Sequence, residues 1–218
     1  MSDRPISRRR AETRERLMDG ALGVIAERGV LAASVEEICE RAGFTRGAFY
    51  SNFASKNDLV LAMFSHHRDQ LFATVTRLAE SDLIRDAAEH PDRLGELVEA
   101  AILSTTPRSR TDRSWMMAIA EMRLYAAREP AIRRSYLEFR RDSHTALLDT
   151  IEAMAEVGDW EFALPAEAVI EVLDTMYQSA VLQAVMTDPD GLEPDSAREA
   201  FTPFIEVMKA IIRPTGGR

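Results

Sequence analysis

In 218 residues the chain has one cysteine, Cys39, and only two lysines, Lys56 and Lys209. A single cysteine excludes an internal disulfide framework and cannot by itself build a thiolate metal cluster. Stretches rich in apolar residues, such as Ala100–Leu103 and Val181–Met186, fall far short of the ~20 residues that a membrane-spanning helix needs. Met1–Arg10 is basic and polar with no apolar run before Leu17, so no secretory signal is expected and a cytoplasmic location is. A Gly-rich phosphate loop, HExxH and G-x-S-x-G are all missing, so no cofactor is implied and enzymatic chemistry lacks its usual machinery. His66 and His67 are adjacent; on a helix they diverge by about 100° and do not form the i, i+4 pair of a helical metal site.

What remains is an ordinary globular composition, 46% hydrophobic and 29% charged. The formal charge of −9 argues at first against nucleic acid, but it is unevenly spread. Residues 1–60 carry ten Lys and Arg against nine Asp and Glu, and the remainder carries 17 against 27. The acidity therefore lies outside the N-terminal quarter. Arg8, Arg9 and Arg10 read as a basic arm that either reaches a DNA groove or merely solubilises the chain.

Apolar spacing is helical throughout, with no sustained period-two alternation, and predicts an all-α protein of about nine helices. The first spans roughly residues 12–28 and stops at Gly29; the next two span residues 34–42 and 45–53. A long helix from residue 56 to about 80 follows, and five more lie near 92–104, 112–128, 130–157, 165–187 and 195–212, between prolines. Ser34-Val35-Glu36-Glu37 is a capping box. Gly43 permits a positive φ, and Thr45 caps the next short helix. Two short helices joined by a tight turn make a helix-turn-helix. Val35, Ile38, Cys39 and Ala42 form the inner face of its first helix, and Phe49 and Phe53 that of its second. Cys39 is then a small core residue. Left outside are Thr45, Arg46, Gly47, Ala48, Tyr50, Ser51 and Asn52, which include groups that bond phosphates and base edges.

Thr13-Arg14, Ala21, Gly29, Ser34-Val35, Ile38, Ala42-Gly43, Gly47, Phe49-Tyr50, Asn52-Phe53, Ser55-Lys56 and Leu59 stand in the order and spacing of the N-terminal domain of tetracycline-repressor (TetR) family regulators, which this chain resembles. Ala33, Cys39 and Ala48 depart from the residues common there. The resemblance implies that Thr45, Arg46, Gly47 and Ala48 approach base edges while Ser34, Tyr50, Asn52 and Lys56 hold phosphates of double-stranded DNA. It also implies a regulator, more often a repressor than an activator in such families, with residues 1–54 binding DNA and residues 55–218 sensing a small molecule and dimerising.

For the larger part the residues speak for themselves. Met63, Phe64, His67, Trp115, Met116, Ile119, Met122 and Tyr125, closed by Met176 and Tyr177, either line a pocket for a small apolar or amphipathic effector or are plain core. Val172, Ala180, Val181 and Ala184 on one late helix and Phe201, Phe204, Ile205, Met208 and Ile212 on the last form apolar stripes expected to meet a second copy, giving a homodimer that reads a palindrome. The rival reading is a helical ligand-binding protein or enzyme without sequence-specific DNA readout.

Overall fold

A computed structural model of the chain describes residues 8–104, 110–188 and 196–215. In chain order its helices are α1 (Arg8–Ala32), α2 (Val35–Ala42), α3 (Arg46–Asn52), α4 (Lys56–Ala79), α5 (Asp82–Glu89), α6 (Leu94–Ser104), α7 (Arg110–Arg128), α8 (Pro130–Gly158), α9 (Ala166–Thr187) and α10 (Ser196–Ile211). Two three-residue strands, β1 (Trp160–Phe162) and β2 (Ile212–Pro214), pair antiparallel. The architecture is all-α, as expected. The unexpected parts are α5, β1 and β2. α5 is short, and its cap Ser81 makes no side-chain bond to the helix; the strands depend on a pairing between residues 160 and 214 that no local pattern signals. Among the described residues no helix is long and apolar enough to cross a membrane.

The chain packs as two compact units, residues 1–67 with 114–139, and residues 68–113 with 140–218. The first unit therefore takes in more than the three N-terminal helices: the start of α4, most of α7 and the start of α8 share its core. Leu17, Ala21, Ile25, Ile38, Phe49, Phe53, Leu59 and Met63 are essentially inaccessible there, each of the larger side chains worth ~1.5–3 kcal/mol of burial. α1 and α2 cross closely because residue 20 is glycine: a Cβ there would lie 2.8 Å from the Ala42 Cβ and 3.0 Å from the Ala42 N. α1 begins at Arg8, so Arg8–Arg10 form its first helical turn rather than an arm. It breaks at Gly29, where φ is +75°.

In the second unit α9 and α10 pack together, and Val169, Ala180, Val181 and Ala184 of α9 and Phe201, Phe204, Ile205 and Met208 of α10 are all buried. The Tyr177 and Phe201 rings meet edge to face at 5.5 Å. Glu99 of α6 ties α10 through Lys209 at 3.0 Å and through Arg198. Thr215 donates from its N–H and its hydroxyl to the Asp159 carbonyl, at 3.0 and 2.8 Å, anchoring β2 beside β1.

Candidate DNA interface

The helix-turn-helix is specified at both joints. The Ser34 hydroxyl oxygen accepts from the Glu37 N–H at 3.2 Å, and the Glu37 carboxylate accepts from the Ser34 N–H at 3.0 Å. Gly43, at φ +72°, ends α2 in the left-handed conformation. Thr45 then opens α3, its oxygen accepting from the Ala48 N–H at 3.2 Å. Phe49 and Phe53 fix the roll of α3 by burying one face. The opposite face, with Thr45, Arg46, Gly47, Tyr50 and Ser51 exposed and Ala48 partly so, points to solvent.

This face is built for close approach. A Cβ on Gly47 would meet nothing nearer than Thr45 Oγ1 at 3.7 Å, so nothing inside the chain demands glycine there. Tyr50 is 51% exposed and its hydroxyl has no partner among the described residues. Arg46 reaches outward, ion-paired at 2.5 Å to Glu36 of α2.

Three of the residues expected to hold phosphates make hydrogen bonds within the fold. The Ser34 hydroxyl also donates to the Glu37 carboxylate at 2.8 Å, so both its functions are used. Asn52 is 8% exposed and its amide nitrogen donates to the Ala48 carbonyl at 2.8 Å, turning the side chain back along α3. Lys56 donates to the carbonyls of Val30 at 2.7 Å and Ala33 at 2.9 Å, with Leu31 at 3.4 Å. It thus caps the end of α1, where a cation suits the helix dipole, while burial pulls its pKa down. No sequence signal links Lys56 to carbonyls more than twenty positions away, although the capping box already reserved Ser34.

Other charges of this unit hold its helices together. Arg10 donates to the Ser51 carbonyl at 3.4 Å and Arg14 to that of Asn52, so α1 braces the C-terminal end of α3. Arg41 grips Glu27 through both terminal nitrogens at 2.8 Å, and Arg28 meets Glu37. Hydrogen bonds from Arg41 hold the Glu27 carboxyl below its ordinary pKa; for Glu37 the Ser34 backbone N–H is the main cause. Many cations of this unit are thus internally engaged.

Of the residues expected to meet an effector, Met63, Phe64, Trp115, Ile119, Met122 and Tyr125 are core of the first unit, and the Tyr125 hydroxyl donates to Asn57 Oδ1 at 2.7 Å. His67 and Met116 are partly exposed. The His66 and His67 rings both stack near Trp115, at 5.5 and 6.0 Å. Burial, with Arg123 and His66 nearby, pushes the His67 pKa down to about 4. Met176 and Tyr177 belong to the second unit. Of the expected dimer stripes, Ala180, Val181, Ala184, Phe201, Phe204, Ile205 and Met208 are already buried within the subunit. Val172 is half-buried and Ile212 opens β2. On the same two helices it is Leu182, Met186 and Val207 that stand exposed.

A capped recognition helix, set by a tight turn behind a short supporting helix and offering a polar face with a sterically open glycine, defines a helix-turn-helix DNA-binding protein. Its relatives place it more closely. Residues 17–63 match the family "Bacterial regulatory proteins, tetR family", and residues 95–208 match "BetI-type transcriptional repressor, C-terminal". The chain belongs to the TetR family of transcriptional regulators. It is 26% identical to the HTH-type transcriptional repressor AcnR of Corynebacterium diphtheriae over 83% of this chain and 85% of that one. It is 35% identical to the HTH-type transcriptional activator FasR of Mycolicibacterium smegmatis over 42% and 39% of the two chains. A TetR transcription regulator from Haloarcula marismortui shares the fold, with a TM-score of 0.66 and 19% identity over 93% of this chain and 100% of that one. These relatives are regulators and not enzymes.

Proposed function

We propose that this regulator represses by holding a palindromic operator as a homodimer and releases it when a small apolar or amphipathic effector binds. The observation that carries the DNA reading is the outer face of α3, where Gly47 leaves room that only an outside partner requires. Repression is favoured by the BetI-type repressor match over residues 95–208 and by the repressor AcnR, similar over most of its length. Residues 1–54 would read DNA, and residues 55–218 would sense and dimerise. Exposed Leu182, Met186 and Val207 supply the apolar surface for a second copy. The partly exposed His67 and Met116, beside Trp115, are the effector contacts we favour. His67, with a pKa of about 4, is neutral at pH 7 and offers a ligand one donor and one acceptor without charge. Each tenfold loss of DNA affinity needs only ~1.4 kcal/mol of differential effector binding.

Repeated selection from random duplex DNA at two salt concentrations tests the DNA half of this reading. The wild type should enrich a palindrome, Arg46→Ala should lose preference within it, and Tyr50→Phe should bind the same palindrome more weakly, because phosphate contacts position and base contacts specify. Sequence-blind, salt-sensitive binding by the wild type would overturn it.

A further inference from the structure

Glu36 sits in the first turn of α2 but takes no part in capping it, since Glu37 completes the capping box with Ser34. Its side chain is 56% exposed. A carboxylate on the surface that faces DNA repels phosphates and weakens generic binding. What it touches is Arg46 at the start of the recognition helix, with Oε1 2.5 Å from Nη1.

Resting on the operator-reading function above, we propose that Glu36 is a positioning residue that presents Arg46 to a guanine. Arg41 gives both terminal nitrogens to Glu27, whereas Arg46 meets Glu36 most closely through Nη1. The Nε–H and Nη2–H edge is left to donate to guanine O6 and N7, the two acceptors that guanine shows in the major groove. The Tyr50 ring, centred 6.0 Å from the Arg46 guanidinium carbon, bounds the side chain further. Gly47 and Ala48 add no bulk between them. A long, flexible arginine is thereby held in one orientation before DNA arrives, and the negative charge of Glu36 penalises sequences that offer no guanine in return.

The test compares wild type, Glu36→Gln, Glu36→Asp, Arg46→Ala and the Glu36→Gln/Arg46→Ala double variant. Each is put through the selection above, followed by affinity measurements on the winning duplex and on duplexes with one G·C pair replaced. Glu36→Gln should bind non-specific DNA more tightly, and its discrimination at one G·C pair per half-site should fall about tenfold, ~1.4 kcal/mol. Glu36→Asp, too short to reach, should lose the same discrimination while keeping the charge. In the Arg46→Ala background the glutamine should change no base preference. Matching thermal midpoints would exclude a folding effect for the exposed position; should one variant fold poorly, the other carries the comparison. Uniformly raised affinity with unchanged preference, or a loss that persists without Arg46, would overturn the positioning role alone. A wild type that enriches no sequence would overturn the operator-reading function and this proposal with it.

Discussion

Lys56 follows the residue-by-residue TetR pattern, and by type alone it is a phosphate ligand. Its ammonium instead lies among the carbonyls of Val30, Leu31 and Ala33. The ammonium can donate three hydrogen bonds and here has three protein acceptors. Lys56→Met is therefore expected to lower stability by ~1–3 kcal/mol, the cost of leaving buried acceptors unsatisfied, as read by denaturant unfolding. The slope of log affinity against log salt should stay as in wild type, whereas loss of a true phosphate contact lowers it by about one. Asn52 and Ser34 likewise have partners within the chain. A polar side chain on a short helix has two possible partners, the chain itself and something outside, and one-dimensional spacing does not choose between them. That Arg46 and Tyr50 face outward was legible because Phe49 and Phe53, four apart, reveal which face of α3 is inward.

Among the elements, the pairing of α1 and α2 is the tightest joint of the first unit, and it depends on an absent side chain. Gly20→Ala would drive a methyl to 2.8 Å from the Ala42 Cβ and 3.0 Å from the Ala42 N. Backbone and a neighbouring Cβ cannot swing aside as a long side chain can, so the substitution should destabilise by ~1–3 kcal/mol despite alanine's better helix propensity. A lower thermal midpoint with reduced operator binding checks it; an unchanged midpoint would mean that the two helices separate without cost. The apolar stripes of α9 and α10 illustrate the opposite limit. Their positions were legible from helical period, yet the period says only that a stripe is covered. Here both stripes are covered within the second unit, and Leu182, Met186 and Val207 are what remains outside.

Two predictions belong to the molecule as a whole. His67 titrates in the fold at about 4 against an ordinary value of 6.5. Because its folded pKa is depressed, the neutral ring contributes stability that is complete above pH 6.5 and is lost as pH falls toward 4. Across that interval the wild type should lose about 2–3 kcal/mol relative to His67→Gln, measured as unfolding free energy at matched pH; parallel curves would contradict the assigned environment. The second concerns assembly. Leu182→Glu with Met186→Glu should yield a folded monomer in sedimentation at micromolar concentration. A large residue at Ala180 or Ala184 should instead damage the fold of the subunit, since both positions are buried within it. A dimer undisturbed by the paired glutamates would place the interface elsewhere.

The local signals carried by the sequence, namely a capping box, a glycine with positive φ, a four-residue spacing of phenylalanines and a 3.6-residue apolar period, were sufficient for the helices, the helix-turn-helix and the outward face of α3. Each is satisfied within a few consecutive residues, so the chain alone determines it. Which polar groups are spent internally, which apolar stripe meets its neighbour, and that Glu36 holds Arg46 were decided only by tertiary structure. Each of these joins groups on different helices, and whether a donor, a charge or a methyl is used up depends on what the fold brings within a few ångströms of it.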